Sequence, residues 1–162
     1  MGTPTDGELA RYGRQVTLLA RVIEATLGDL SLTGYRVLVL VEQGDERSSQ
    51  IARQLAVGRP TVTYAVDTLV ERGLIERETA EDDRRVIRLR LTRSGREALR
   101  RADRTISARL RPVFDRLDDP AAALRSFDEV QAATTASRPE WIRRVAARRK
   151  RKSKNEADTG AG

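Results

Sequence analysis

Residues 49–73 read SQIARQLAVGRPTVTYAVDTLVERG, and they carry the plainest structural pattern of the chain. Apolar spacing predicts a short helix over about 49–55, and small residues at 56–58 predict a tight turn. A longer helix is expected over about 59–72, with Pro60 in its first turn, where the missing N–H costs nothing. A short helix, a turn containing glycine and a second helix together predict a helix-turn-helix motif.

The second helix of this motif has two contrasting faces. One is an aliphatic stripe that is expected to point inward: Val62, Ala65, Val66, Leu69 and Val70. The other is mostly small and polar: Arg59, Thr61, Thr63, Tyr64, Asp67 and Thr68. Such a face can be nothing more than the solvated side of a helix. In a helix-turn-helix it can instead enter a DNA groove, where hydroxyl and threonine methyl groups contact base edges.

Two short strands are predicted directly after the motif. The first covers about 74–78, and residues 79–83 form a polar turn. Residues 87–91 alternate strictly between aliphatic side chains and arginine, which is the period of a strand with one open face. Six arginines and no acidic residue lie between 84 and 96. A hairpin with a charged tip after the second helix predicts a wing.

The segment before the motif is either a central helix or a buried strand. Residues 34–43 are apolar nearly all round, which predicts a buried helix with Thr33 as its N-cap. The β-branched residues of this segment fit a short buried strand equally well.

Amphipathic helices are predicted on both sides of the winged region. The first is expected over 8–30, and Thr92 is expected to cap a second that reaches Leu117 with a kink at Pro112. A last helix follows a break at 118–120. The three apolar faces consist of Leu9, Val16, Leu19, Ala20, Ile23, Leu27 and Leu30; Leu99, Ala102, Ile106, Leu110, Phe114 and Leu117; and Leu124, Phe127 and Val130. One small domain cannot cover so much apolar surface, so a helical dimer interface is expected.

The positive charge of the chain is concentrated at its C-terminal end. There are 31 basic and 24 acidic residues, which gives a net charge of +7. From Arg138 onward nine basic residues face three acidic ones, which leaves +1 for the preceding 137 residues. This distribution favours a polyanionic partner. The tail itself fits either a solvated extension or a sequence-independent contact with DNA.

Two residue types are missing, and their absence excludes several kinds of chemistry. Without cysteine and histidine the chain has no disulfide, thiol nucleophile, imidazole base, or thiolate or imidazole metal site. We therefore expect no enzyme activity, no metal and no cofactor. The N-terminus lacks the pattern of a signal peptide, and no run approaches the roughly 18 apolar residues of a membrane span. A soluble, cytoplasmic protein is expected.

The sequence resembles the MarR family of bacterial winged helix-turn-helix regulators. Three stretches carry the resemblance, in order and at the expected spacing: RPTVT at 59–63; DTL at 67–69 with GLIER at 73–77; and a D-x-R-x₅-L-T pattern at 83–92 followed by Gly95. Each is weak alone, and together they are specific. At the level of architecture the resemblance covers about residues 8–135, and the basic tail lies outside it.

The resemblance implies a bacterial homodimer that binds a pseudo-palindromic DNA operator and is associated with the nucleoid when bound. In each half-site, the second helix of the motif of one protomer lies in the major groove. It also implies that the wing tip approaches the minor groove, where Arg85 inserts and Asp83 holds it. Ser48 and Ser49 are expected to cap the short helix, with phosphate contact as the alternative. Tyr64 stands where many members carry arginine, which changes the expected base preference. The candidate DNA contacts are Ser49, Arg59, Pro60, Thr61, Thr63, Tyr64, Asp83, Arg84 and Arg85.

Many members of the family are repressors that small aromatic or phenolic acids release from DNA. The resemblance places their pocket between the dimerisation helices and the winged domain. The candidate ligand-binding residues of this chain are Tyr12, Arg14, Tyr35 and Arg36. An arginine in this place can pair with a ligand carboxylate through two hydrogen bonds. A role at an interface or at the edge of the core fits the same four residues.

We therefore expect a mainly α fold with a small β wing, in which dimerisation helices flank a winged helix-turn-helix. Residues 33–92 are expected to form the DNA-binding domain, 8–30 and 93–135 a helical dimerisation region, and 137–162 a basic, partly disordered tail. The expected function is a sequence-specific transcriptional regulator, in particular a ligand-responsive repressor. One alternative is an architectural protein that binds DNA without sequence preference through its tail. Another is a protein-interaction module, which explains the arginines of the wing region poorly.

Overall fold

The chain is mainly helical, with one two-stranded antiparallel sheet. The computed structural model describes residues 2–44, 47–79 and 87–137. The elements are α1 (Asp6–Glu24), α2 (Leu32–Glu42), α3 (Ser48–Leu55), α4 (Arg59–Glu71), β1 (Ile75–Thr79), β2 (Ile87–Leu91), α5 (Arg93–Phe114) and α6 (residues 120–137). This order confirms the predicted fold class: α3 and α4 are the helix-turn-helix, and β1 and β2 are the strands of the wing.

The core of the winged region forms around α2. This helix packs against α3, α4 and β2, and its Val37 and Leu38 have no exposed surface. Ile51 of α3 and Val66 of α4 are equally buried. The residues at 34–43 therefore form the central helix, and the alternative of a buried strand is wrong.

The predicted first helix is too long at its C-terminal end. α1 ends at Glu24, and Gly28 in the following connection has a φ of +63°, which a helix cannot accommodate. Leu27 and Leu30 are buried in the winged core instead of extending the apolar face of α1. The apolar spacing of α1 continues beyond the end of the helix, because Leu27 and Leu30 are also apolar. They are buried in the core of the winged region and do not lie on the exposed face of α1.

Two predicted N-caps are also wrong, and each true cap lies before the predicted one. The side chain of Ser31 accepts the N–H of Gly34 at 3.0 Å and caps α2, whereas Thr33 lies inside the helix. The N-cap of α3 is Arg47, which makes no side-chain capping bond, so Ser48 and Ser49 are helical residues. A run of neighbouring Ser or Thr residues does not show which of them has the extended backbone that a cap needs.

The turns around α4 confirm the predicted helix-turn-helix. Ala56 ends α3 in the left-handed region with a φ of +52°, and Gly58 is the N-cap of α4. At the other end Gly73 has a φ of +66°. Its N–H donates to Val70 and the N–H of Leu74 donates to Leu69, both at 2.9 Å. These two bonds are a Schellman motif, which turns the chain directly into β1.

The wing strands pair in a register that joins them to the start of α5. Ile75 lies opposite Leu91, and both are buried against the core. Thr92 follows at once: its hydroxyl donates to the Gly73 carbonyl at 2.7 Å and accepts the N–H of Gly95 at 2.9 Å. One side chain therefore connects the end of α4 to the N-terminus of α5, and the predicted cap at Thr92 is confirmed.

Thr92→Ala should lower the free energy of unfolding by about 1–2 kcal/mol, because it removes a helix cap and leaves the Gly73 carbonyl without that donor. Thr92→Ser keeps the hydroxyl and should recover most of the loss. Thr105→Ala is the matched control, since the Thr105 hydroxyl donates to the Arg101 carbonyl of its own helix and connects it to no other described element. Urea unfolding of the three variants measures the difference, and equal midpoints for Thr92→Ala and Thr105→Ala would contradict it.

The C-terminal helices differ from the prediction at one boundary. α5 ends at Phe114, two residues after Pro112, so Leu117 lies beyond the helix and not on its stripe. Pro112 cannot donate the hydrogen bond that would continue the helix. Asp119 then caps α6, since its carboxylate accepts the N–H of Ala122 at 2.8 Å. The chain divides into two compact units after Val113, and α6 belongs to the second unit.

Both units expose apolar helical faces. None of the residues of α1 is buried, and Leu9, Tyr12, Val16 and Leu18 are exposed. The N-terminus of α1 is nevertheless well formed: backbone and side-chain hydrogen bonds from Thr5 hold the pKa of Glu8 below its usual value. In the second unit Leu124, Phe127 and Val130 are exposed as well. Among the described residues no helix is long and apolar enough to cross a membrane.

Candidate nucleic-acid interface

The outer face of α4 is the main candidate surface. Val62 and Val66 are buried beneath it with at most 1% of their surface exposed, which fixes the rotation of the helix. The opposite residues are consequently presented to solvent, and Tyr64 is 76% exposed. The predicted contact residues on this helix are all exposed: Arg59, Pro60, Thr61, Thr63 and Tyr64. A row of small hydroxyl side chains beside one phenol can approach a groove closely and still donate and accept hydrogen bonds.

α3 supports this face from behind. Ile51 and Leu55 are buried on the side of α3 that belongs to the core, and α3 packs directly against α4. Ser49 lies exposed in the first turn of α3. Its hydroxyl is not used as a cap, so it is available for the phosphate contact that was the alternative expectation.

Two ion pairs fix α4, and reasoning from the sequence missed both. Asp67 of α4 pairs with Arg77 of β1, so this residue of the predicted polar face is bound to the wing. Arg72, at the C-cap of α4, pairs with the carboxylate of Asp29 and donates to its backbone carbonyl at 2.9 Å. Each pair is largely exposed and contributes little stability, about 0–1 kcal/mol. Their effect is to define the position of α4 against its two neighbouring segments. Asp67 and Arg77 are ten residues apart and Arg72 and Asp29 are 43 apart, so no local sequence pattern was available to find either pair.

The wing strands carry balanced charge. The register places Glu76 opposite Arg90 and Glu78 opposite Arg88. Arg90 also forms an ion pair with Glu78 across the strands. The arginine face that the sequence predicted for β2 is therefore matched by glutamates of β1. Of the predicted wing contacts, Asp83, Arg84 and Arg85 lie outside the described residues.

The four candidate ligand-binding residues occupy different elements. Tyr12 and Arg14 are exposed on α1, and Arg36 is exposed on α2. Tyr35 is half-buried, and its hydroxyl donates to Asp103 of α5 at 2.9 Å. Burial and the neighbouring Asp103 carboxylate raise the pKa of Tyr35 to about 12. Tyr35 therefore stays protonated at neutral pH and connects the winged core to α5.

Two surface cavities lie close to the winged core, and the four candidate ligand residues line neither. One, of about 330 Å³, lies between α4 and the segment 29–34, with Thr61, Tyr64 and Thr68 on its α4 side. The other, of about 450 Å³, lies between the end of α2 and the wing sheet. The first cavity adjoins the exposed face of α4, so a molecule bound there would contact residues of the candidate surface.

A short helix, a tight turn, a second helix with an exposed polar face and a two-stranded wing define a winged helix-turn-helix protein. Residues 30–87 match the sequence model of the MarR family. The resemblance of the sequence to the MarR family is thus confirmed over these residues.

One curated relative is a helix-turn-helix regulator. The uncharacterized HTH-type transcriptional regulator YpoP of Bacillus subtilis (strain 168) is 35% identical over 72 residues. These make up 44% of this chain and 51% of YpoP, so the chain spans about half the length of that curated relative.

Solved structures extend the likeness to most of the chain. The transcriptional repressor CouR, bound to a 23-mer DNA duplex, is 26% identical with a TM-score of 0.64, over 83% of this chain and 99% of CouR. A MarR-family transcriptional regulator from Rhodococcus sp. RHA1 has a TM-score of 0.68 at 20% identity, over 82% of this chain and 97% of that one. The second likeness shows the fold alone.

Proposed function

We propose that this protein is a sequence-specific DNA-binding transcriptional regulator that binds a pseudo-palindromic operator as a homodimer. The exposed face of α4 is the observation that carries the proposal. Four residues on the inner side of α4 are buried, so the small polar side chains of the opposite side are held outward: Val62, Ala65, Val66 and Leu69. The match of residues 30–87 to the MarR family model and the solved complex of CouR with a DNA duplex support the same function.

The proposed base contacts lie near the N-terminal half of α4. Thr61, Thr63 and Tyr64 face the major groove, where Tyr64 supplies a hydroxyl in place of the arginine of many relatives. Arg59 and Ser49 contact phosphates and fix the register of the helix on the duplex. Pro60 stiffens the first turn of α4. In the wing, Asp83, Arg84 and Arg85 are the proposed minor-groove residues, on the basis of the family pattern.

The proposed homodimer accounts for the exposed apolar helices. Large apolar side chains are exposed on two helices: Leu9, Tyr12 and Val16 on α1, and Leu124 and Phe127 on α6. A second copy that covers them would remove this surface from water, at about 25 cal/mol for each Å² buried. We therefore assign residues 8–30 and 93–135 to dimerisation and 33–92 to DNA binding. The helical break at 115–119 lies inside the dimerisation region, and the break at 25–31 lies at its boundary with the DNA-binding region.

We further propose that the protein represses transcription and that a small aromatic or phenolic effector releases it. A structure of CouR from Rhodococcus jostii RHA1 contains bound p-coumaroyl-CoA. In this chain Tyr12, Arg14, Tyr35 and Arg36 remain the proposed effector residues. Because the Tyr35 hydroxyl already binds Asp103, an effector that uses Tyr35 has to compete with that hydrogen bond.

Selection of bound duplexes from random DNA tests the proposal. The wild-type protein should enrich a two-fold symmetric consensus. Thr63→Ala/Tyr64→Ala should lose the consensus and weaken operator binding by about 30-fold or more, since each of the two base contacts removed contributes about 1–3 kcal/mol. Both side chains are exposed, so the melting temperature should change little.

The control is Thr105→Ala/Ser107→Ala, which removes two exposed hydroxyls from α5 and should enrich the wild-type consensus. Enrichment without a consensus by the wild-type protein would contradict the proposal and favour an architectural DNA-binding protein.

A further inference from the structure

The basic charge of the described chain is concentrated on α5, outside the helix-turn-helix. This helix carries seven arginines against Glu97 and Asp103, a net charge of +5. The other residues up to 137 have 15 arginines and 19 acids, a net charge of −4. The net charge of residues 1–137 taken together is only +1, because the charges of the two parts nearly cancel.

Four of these arginines form one stripe. Arg93, Arg100, Arg104 and Arg111 follow one another at steps of seven, four and seven, and a helix of 3.6 residues per turn places them on one face. Ala98, Leu99 and Ala102, which are buried, lie on the opposite side. The stripe spans 19 residues, and its first and last residues are about 27 Å apart along the helix at a rise of 1.5 Å per residue. We refer to these four residues as the arginine stripe.

The arginine stripe is exposed and little neutralised. All four side chains are exposed, and Arg93 pairs with Glu97 one turn later. Arg100, Arg104 and Arg111 form no ion pair with a described residue. Arg100 and Arg104 stand four residues apart, where like charges destabilise a helix. A helix face that served only solubility would mix the two signs and avoid this cost.

The composition of the stripe selects the kind of partner. It contains no aliphatic or aromatic side chain, whereas protein interfaces have an apolar core and single-stranded nucleic acids need aromatic platforms for their bases. Guanidinium groups match phosphate geometry through paired hydrogen bonds. A straight row of arginines on a rigid helix therefore fits the phosphate backbone of a duplex. The stripe begins at Arg93, two residues after β2, and is continuous with the wing.

We propose that the arginine stripe is a second DNA-binding surface, which holds the backbone of duplex DNA flanking the operator without reading its sequence. This inference rests on the proposed function, because the recognition surface of α4 brings the protein onto a DNA duplex. It adds a contact that neither the helix-turn-helix nor the wing makes. The affinity for the operator should therefore rise when the operator is flanked by more duplex DNA.

The test compares a minimal operator duplex with one extended by about 20 base pairs, or about 68 Å, on each side. The extension should raise the affinity of the wild-type protein and steepen its salt dependence by about 0.9 for each phosphate contacted. Arg100→Gln/Arg104→Gln should lose most of this gain, about tenfold in affinity, and should bind the minimal operator as the wild type does. Its melting temperature should not fall, because both side chains are exposed.

Arg101→Gln/Arg109→Gln is the matched control, since it removes two exposed arginines of the same helix that lie elsewhere around its axis. This variant should keep the gain from flanking DNA. Equal losses in the two double variants would overturn the inference, as would an unchanged gain in the stripe variant. Stronger competition by duplex RNA than by duplex DNA of equal length would overturn the assignment to DNA. Failure of the wild-type protein to select any operator would instead contradict the proposed function.

Discussion

Gly95→Ala should destabilise the protein by about 3 kcal/mol or more and leave little folded winged domain at 37 °C. A Cβ at this position would stand 1.9 Å from the backbone oxygen of Leu74 and 2.9 Å from its carbon, far inside contact distance. Leu74 cannot move away easily. Its N–H donates to Leu69 at 2.9 Å, and its carbonyl accepts the N–H of Thr92 at 3.2 Å.

The control for this substitution is Gly13→Ala. Gly13 lies inside α1, where an added Cβ meets no atom within 4 Å. Alanine is the better helix former, so this variant should be unchanged or up to about 1 kcal/mol more stable. Thermal unfolding of both variants, followed by circular dichroism, measures the contrast. A Gly95→Ala protein that melts with the wild type would show that α5 does not approach Leu74 so closely.

Inserting 5 base pairs between the operator half-sites should reduce affinity at least about 100-fold, a loss of about 2.7 kcal/mol. A dimer of helix-turn-helix domains reads half-sites about one turn, or 10 base pairs, apart, and half a turn places them on opposite sides of the duplex. The exposed apolar faces of α1 and α6 motivate this expectation, because a homodimer that covers them holds its two α4 helices at a fixed separation.

The matching control replaces central base pairs of the operator without changing its length. Affinity should then change far less than on insertion, since the half-sites keep their relative rotation. Gel-shift titrations of the three duplexes give the ratio, and sedimentation gives the oligomeric state. A monomer that binds the intact operator with full affinity would be incompatible with the proposed dimer.

Much of the winged region could be predicted because its signals are local. The turn at 56–58 and the glycine at 73 mark the two ends of α4. Both contain a residue whose backbone enters the left-handed region. The alternation at 87–91 is a strand pattern that no helix shares. These features depend on a few neighbouring residues, so their order was enough to predict the resemblance to the family that residues 30–87 match.

The errors occurred where one local pattern fits two arrangements. Leu27 and Leu30 continue the spacing of α1, and only the turn at Gly28 moves them into a different core. Ser31 and Thr33 are equally good capping residues by type, and the path of the backbone selects Ser31. Similarly, the sequence shows the arginines of β2 as an open basic face, but the strand register places Glu76 and Glu78 opposite them.

The sequence by itself determined the class of protein: a helix-turn-helix followed by a wing, without cysteine or histidine chemistry and with a basic C-terminal end. Only the tertiary structure decided what holds α4 in place and where the remaining charge lies. Asp67 and Arg77 are ten residues apart, and Arg72 and Asp29 are 43 apart, so no local pattern shows that they meet. The arginine stripe was hidden for a related reason. Its residues are spread over 19 positions of the sequence, and they form one surface only because α5 is a continuous helix whose opposite side is buried.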